Sequence, residues 1–107
     1  MVRVKVEYTC EYSSDDGMDQ WGRIIVTHPK GGTMVARWDC EGGKGRGAEL
    51  RENTTPWSDN EADAIVNAAE LCQGDGTYYA DIEVAAVPHP VGGIWWDIDV
   101  DNVEWIG

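Results

Sequence analysis

Ser58-Asp59-Asn60-Glu61-Ala62-Asp63-Ala64-Ile65-Val66-Asn67-Ala68-Ala69-Glu70-Leu71-Cys72 is the one stretch of this chain with a helical signature. Ser58 and Glu61 have the spacing of a capping box. In it the Ser58 hydroxyl accepts the Glu61 N–H, and the Glu61 carboxylate accepts the Ser58 N–H. Asp59, Glu61 and Asp63 put negative charge at the positive end of the helix dipole. Ala62, Ile65, Val66, Ala69 and Cys72 recur at helical spacing and form one narrow apolar stripe. Asn60, Asp63, Asn67 and Glu70 take the other side, so Asn67→Ala is expected to change stability by less than about 0.5 kcal/mol. Gly74 is the expected stop. A lone helix of this length is marginal in water, so its stripe needs a sheet to lie on.

The rest of the chain supplies strands. Val2, Val4, Val6 and Tyr8 alternate with Arg3, Lys5, Glu7 and Thr9, which predicts a half-buried strand running to Tyr12. A polar turn, Ser13 to Gly17, separates it from a second strand, Gly22 to His28. Pro29-Lys30-Gly31-Gly32 turns into a third, Thr33 to Cys40, with Met34, Ala36, Trp38 and Cys40 on one face. Connections this short make an antiparallel meander. Glu41 to Trp57 reads as irregular, because Gly42-Gly43-Lys44-Gly45-Arg46-Gly47 suits neither a helix nor a strand interior. After the helix, Thr77 to Val87 and Ile94 to Val100 alternate again. Val103 to Ile106 is either a short final strand or a continuation past a bulge. No internal repeat stands out. The expected fold is one α+β domain over residues 1–107: two layers, an antiparallel sheet of five to six strands in the order β-β-β-α-β-β, and one helix packed on one face.

A chain of 107 residues makes one domain with one core. Asp and Glu number 20 against 8 Lys and Arg, for a net charge of −12. Such a surface repels nucleic acid and anionic membrane and favours a basic protein or a bound cation. Three cysteines without a close pair, and a start without an apolar leader, point to a reduced cytoplasmic chain.

The motif search is largely negative. Asp97-Ile98-Asp99-Val100-Asp101-Asn102 begins like a calcium loop, but Asn102 stands where Gly is needed and the closing Glu position falls beyond Gly107. The basic glycine-rich run is not a phosphate loop; it reads as a hairpin tip or a mobile clamp. His28, His89, Cys10, Cys40 and Cys72 lack zinc-ligand spacing. No metal or cofactor is expected, and no catalytic residues are assigned. The candidate partner-binding residues are Asp97, Asp99 and Asp101 with Trp95, the matching alternation Asp81 and Glu83, and the acidic loop Asp15, Asp16 and Asp19 with Trp21. Trp38 and Trp96 face inward and are expected in the core. Alternate residues on a strand stand ~6.6 Å apart. That is broadly the spacing of phosphates along one DNA strand.

In size, in its charge of −12, in its single compact α+β domain and in acidic rows such as Asp97, Asp99 and Asp101, the chain resembles the small acidic proteins that phages use against host defence, the anti-CRISPR proteins among them. The resemblance is one of class and carries no residue roles. It implies a non-enzymatic inhibitor that blocks a basic nucleic-acid-binding target, in some such proteins by imitating DNA charge. It would act in the cytoplasm, that of the host cell if phage-encoded. The competing readings are a small carboxylate-based metal-binding or enzymatic domain, and an acidic domain of a salt-adapted cell.

Overall fold

A computed structural model describes all 107 residues. Six strands and one helix follow in the order β1 (Val2–Ser13), β2 (Gln20–Thr27), β3 (Thr33–Cys40), β4 (Arg46–Asn53), α1 (Asp59–Asn67), β5 (Gly76–Pro88) and β6 (Ile94–Trp105). They form a single antiparallel sheet in the order β4-β3-β2-β1-β5-β6. The sheet curls into a half-barrel around α1, which touches β3, β4 and β6. The α+β content therefore holds, but the flat two-layer packing does not. Register shifts on β1, β3–β4 and β5–β6 bend the ribbon, and each such bulge adds local twist.

The concave face holds the core. Val4, Val6, Tyr8, Ile24, Val26, Met34, Ala36, Trp38, Tyr78, Ala80 and Ile82 meet Ala62, Ile65 and Val66 of the helix there. Trp38 is buried as expected and its indole N–H donates to the Thr9 carbonyl at 3.1 Å, while Trp96 is only half-buried. The capping box forms as read, with Glu61 N–H on Ser58 Oγ at 3.2 Å and Ser58 N–H on Glu61 Oε1 at 3.0 Å.

Three readings need correction. The first concerns β4, which lies inside the stretch read as irregular. Ala48 and Leu50 are the only apolar residues it turns to the core, and a register shift opposite Val35 and Ala36 breaks the alternation. An edge strand with so little apolar content gives almost no periodic signal. Arg46 is no mobile clamp either: its Nη2 donates to the Ala68 carbonyl at 2.9 Å and its guanidinium lies 5.8 Å from the Tyr8 ring centre.

The second is the end of the helix. It stops at Ala68, which is extended (ψ 124°), and not at Gly74. A single 3-10 turn, Ala69–Leu71, then carries Leu71 into the core. Cys72 consequently leaves the apolar stripe and is exposed, with its thiol 3.4 Å from the Tyr8 hydroxyl.

The third is Asn67. Its side chain accepts the Ala48 N–H at 2.8 Å and donates to the Ala48 carbonyl at 2.9 Å, so it satisfies one residue of the open edge of β4. Asn67→Ala removes both bonds, at about 0.5–1.5 kcal/mol each, and is expected to cost about 1–2 kcal/mol. A denaturant titration showing a loss under about 0.5 kcal/mol would mean that the Ala48 bonds add nothing to stability.

A repeat that the sequence reading passes over appears in two of the turns. His28-Pro29-Lys30-Gly31-Gly32 and His89-Pro90-Val91-Gly92-Gly93 close β2–β3 and β5–β6 in the same way. In each, the His N–H donates to the second Gly carbonyl (3.1 Å in both) and the first Gly N–H donates back to the His carbonyl (2.9 and 3.0 Å). The His Nδ1 accepts the N–H of the middle residue (3.0 and 3.2 Å). Both glycine pairs have positive φ, which any larger side chain resists.

The first turn is covered. His28 is buried and its ring meets Trp57 edge-on at 4.7 Å. Burial, aided by the Lys30 charge, pushes the His28 imidazole below its ordinary value of 6.5. The unfolded chain then takes up a proton that the fold refuses, so His28 lowers stability as pH falls below about 6.5. In a His28→Asn variant, whose side chain keeps an acceptor for Lys30, the melting temperature should lose this component of its pH dependence. Parallel pH curves for the two proteins would contradict it.

Candidate functional site

The outer, convex face carries the polar residues. Beyond Ile82, the partner of Val2, β5 has no neighbour on the β1 side. Residues 83–88 of β5 pair only with 94–99 of β6, so this end of the hairpin projects as a two-stranded arm. Glu83 lies opposite Asp99, Ala85 opposite Asp97, Val87 opposite Trp95, and Asp81 opposite Asp101. The buried alternation of Tyr78, Ala80 and Ile82 puts all of these on the convex face. The structure thus brings together six of the sequence-predicted residues: Asp81, Glu83, Trp95, Asp97, Asp99 and Asp101.

These six are not equivalent. Asp81 accepts from Arg3 Nη1 at 3.0 Å and from Asn102 Nδ2 at 2.8 Å. The Asn102 amide first, then the Arg3 guanidinium, holds its carboxyl below the usual carboxylate value. Arg3 also reaches Glu104 at 3.2 Å and the Asn102 carbonyl at 3.1 Å. Asn102 has φ 53° at the register shift, so this cluster fastens the bulge where the arm leaves the sheet. Asp81 is a structural residue. Glu83, Asp97, Asp99 and Asp101 make no ion pair. Like charges directly opposite one another weaken a sheet. Asp97, Asp99 and Asp101 stand along a strand, and no ion-binding loop forms around them.

The arm is apolar at its tip. Val91 is 87% exposed, Ile94 66% and Trp95 53%. Nothing in the sequence marks His89 or the tip glycines as site residues, because a turn motif carries no chemistry by itself. Only the pairing shows that His89 continues the convex row of Glu83, Ala85 and Val87.

Asp15, Asp16, Asp19 and Trp21 lie at the other end of the molecule. The length of β1 separates the two groups. Asp16 Oδ1 accepts the Met18 N–H at 3.0 Å and the Ser14 hydroxyl at 2.7 Å, and these bonds hold its pKa below the usual carboxylate value. Asp19 Oδ1 accepts the Gly42 N–H at 2.8 Å and ties the loop to the β3–β4 turn. Trp21 is half-buried between the Tyr12 ring at 6.0 Å and the Arg37 guanidinium at 4.8 Å. Asp16, Asp19 and Trp21 are thus engaged within the chain. An open polar groove of about 370 Å³, lined in part by Asp19, Trp21, Arg37 and Asp39, lies beside them. No helix is long and apolar enough to cross a membrane.

Comparison with protein-family models, with curated proteins and with solved structures finds no match to this chain.

Proposed function

We infer that this is a non-enzymatic acidic binding protein that inhibits a basic, nucleic-acid-binding target by occupying the surface that otherwise holds phosphates, in the manner of phage anti-defence proteins. The observation that carries the reading is the row Glu83, Asp97, Asp99 and Asp101, left without ion pairs along a projecting arm and its base, beside the exposed Trp95. Unpaired carboxylates on adjacent strands repel one another, and a cationic surface relieves that repulsion. Trp95 supplies an aromatic anchor of the kind that concentrates binding energy, with the acids as its rim. The acidic loop at the far end would add long-range attraction, with Asp15 as the member whose carboxylate makes no hydrogen bond within the chain. The partner is a basic protein surface, and the site of action is the cytoplasm.

The test pairs Asp97→Lys with Asp99→Lys in one variant. Its fold is confirmed by circular dichroism, and binding to a panel of purified nucleic-acid-binding proteins is measured by interferometry. Any target bound by the wild type should lose at least about tenfold in affinity to the variant, and wild-type association should slow steeply as salt rises. Equal affinity for both proteins, or indifference to salt, ends the mimicry reading.

A further inference from the structure

The two His-Pro-x-Gly-Gly turns differ in what surrounds them, and the difference identifies an unfilled position beside β6. Around the first turn the arrangement is complete. The strand leaving it, β3, is paired along its other edge by the antiparallel β4. The chain then runs on past the turn as Thr54-Thr55-Pro56-Trp57. Thr54 exchanges bonds with Thr33, N–H to carbonyl at 2.9 Å and Oγ1 from the Thr33 N–H at 2.9 Å. It passes so close to Gly32 that an added Cβ would stand 2.1 Å from the Thr54 carbonyl oxygen. Trp57 closes over His28. Charges across the added strand are complementary, with Glu49 opposite Arg37.

Around the second turn every one of these covering elements is missing. β6 leaves the turn just as β3 does, but it ends the sheet. Among the backbone bonds outside the ladders and the side-chain bonds, those that join β6 and the residues after it to other elements go only to Arg3, Thr77 and Asp81, on the side of β1 and β5. A Cβ built on Gly92 or Gly93 meets nothing within 4 Å. His89 has no aromatic ring over it, and Trp95, opposite Val87 on the same face, is 53% exposed. An isolated two-stranded ribbon is marginal in water, and a third strand is what stabilises it.

We propose that the open edge of β6, from Ile94 to Val100, is a strand-addition site for an extended basic segment of a partner protein. The segment runs antiparallel to β6 and ends in an aromatic residue over His89. Its backbone fills the position that β4 holds beside β3. Its alternate residues on the convex face are Lys or Arg, because the residues they meet on β6 are Asp97 and Asp99. Its direction follows from the first turn, where the added strand runs toward the turn and delivers Trp57 to His28 after the strand has ended. His28 belongs to the concave row of β2 and His89 to the convex row of β5. The aromatic residue therefore arrives on the same face as Trp95 and the carboxylates. A second copy of this chain does not fit. Two β6 strands paired edge to edge would set the Asp rows against each other, with −12 on each molecule, and Thr54 to Trp57 of the copy is already in use.

The inference rests on the acidic-arm reading above, and its test separates the two. The probe is a synthetic peptide with Lys at alternate positions followed by Thr-Thr-Pro-Trp, titrated against the full protein at low salt. Two further peptides carry N-methyl groups on one or the other alternating set of backbone amides. One set faces β6 and the other faces solvent. Only one N-methylated peptide should lose affinity, by about tenfold or more for the hydrogen bonds removed. Alternate amides of β6 between Ile94 and Val100 should also become protected from hydrogen exchange. If both N-methylated peptides bind like the parent while Asp97→Lys with Asp99→Lys abolishes binding, strand addition is overturned and the acidic reading stands. If no peptide binds, or if the charge reversal has no effect on binding, both fall.

Discussion

Gly22→Ala is expected to leave no stably folded protein. Gly22 lies opposite Cys10, where β1 shifts register against β2 and the two backbones close in. A Cβ on Gly22 would stand 1.8 Å from the Thr9 carbonyl oxygen and 2.8 Å from its carbon, both main-chain atoms that cannot swing aside. Relief requires β1 and β2 to separate at the centre of the sheet. That loses ladder hydrogen bonds and loosens Tyr8, Ile24 and Trp38 together. A single substitution with so direct a backbone clash belongs at the top of the usual range, above about 4–5 kcal/mol. Domains of this kind have only about 5–15 kcal/mol to lose. The control is Gly47→Ala on β4, where the nearest atom to an added Cβ is Asp39 Oδ1 at 4.0 Å. That change should be neutral or stabilise by up to about 1 kcal/mol, because Ala loses less backbone freedom on folding than Gly. Thermal melts by circular dichroism compare the two. A Gly22→Ala melt near that of the wild type would mean that β1 and β2 do not pair in this register.

Ile65→Ala is the larger of the helix effects. Ile65 has no exposed surface and sits with Ala62 and Val66 at the centre of the concave face. Truncation removes the transfer energy of the lost methyl and methylene groups and leaves a cavity that the curled sheet closes only in part, at about 2–5 kcal/mol. At about 4–8 °C per kcal/mol for a domain near this size, the melting temperature should fall by roughly 10 °C or more. The loss should exceed that of Asn67→Ala, which breaks hydrogen bonds at an exposed edge and opens no cavity. The reverse order would mean that the helix is held mainly by its contact with β4 and hardly by its stripe.

The helix start was legible because capping is local: Ser58 and Glu61 satisfy each other's backbone within one turn. Its end was not. Leu71 has to enter the core, Arg46 of β4 donates to the Ala68 carbonyl, and Asn67 of the last turn bonds Ala48 of β4. Such contacts leave no mark within the helix sequence itself.

β1, β2, β3, β5 and the first part of β6 were legible from period-two alternation, since each buries one face and wets the other. The same alternation placed Asp81, Glu83, Asp97, Asp99 and Asp101 on one side of their strands. By itself, then, the sequence determined the α+β composition, one capped helix, five strands and the sidedness of the acids. The tertiary structure decided what depends on neighbours distant in the chain. β4 is a strand because β3 offers it an edge, although it has too little apolar surface to announce itself. Strand order decided that β5 and β6 lie side by side and outrun β1, which turns two separate acidic rows into one projecting patch. It also sent the loop of Asp15, Asp16 and Asp19 to the opposite end. Pairing further divided the carboxylates, because only a fold can bring Arg3 to Asp81 and leave Asp97 and Asp99 without a cation.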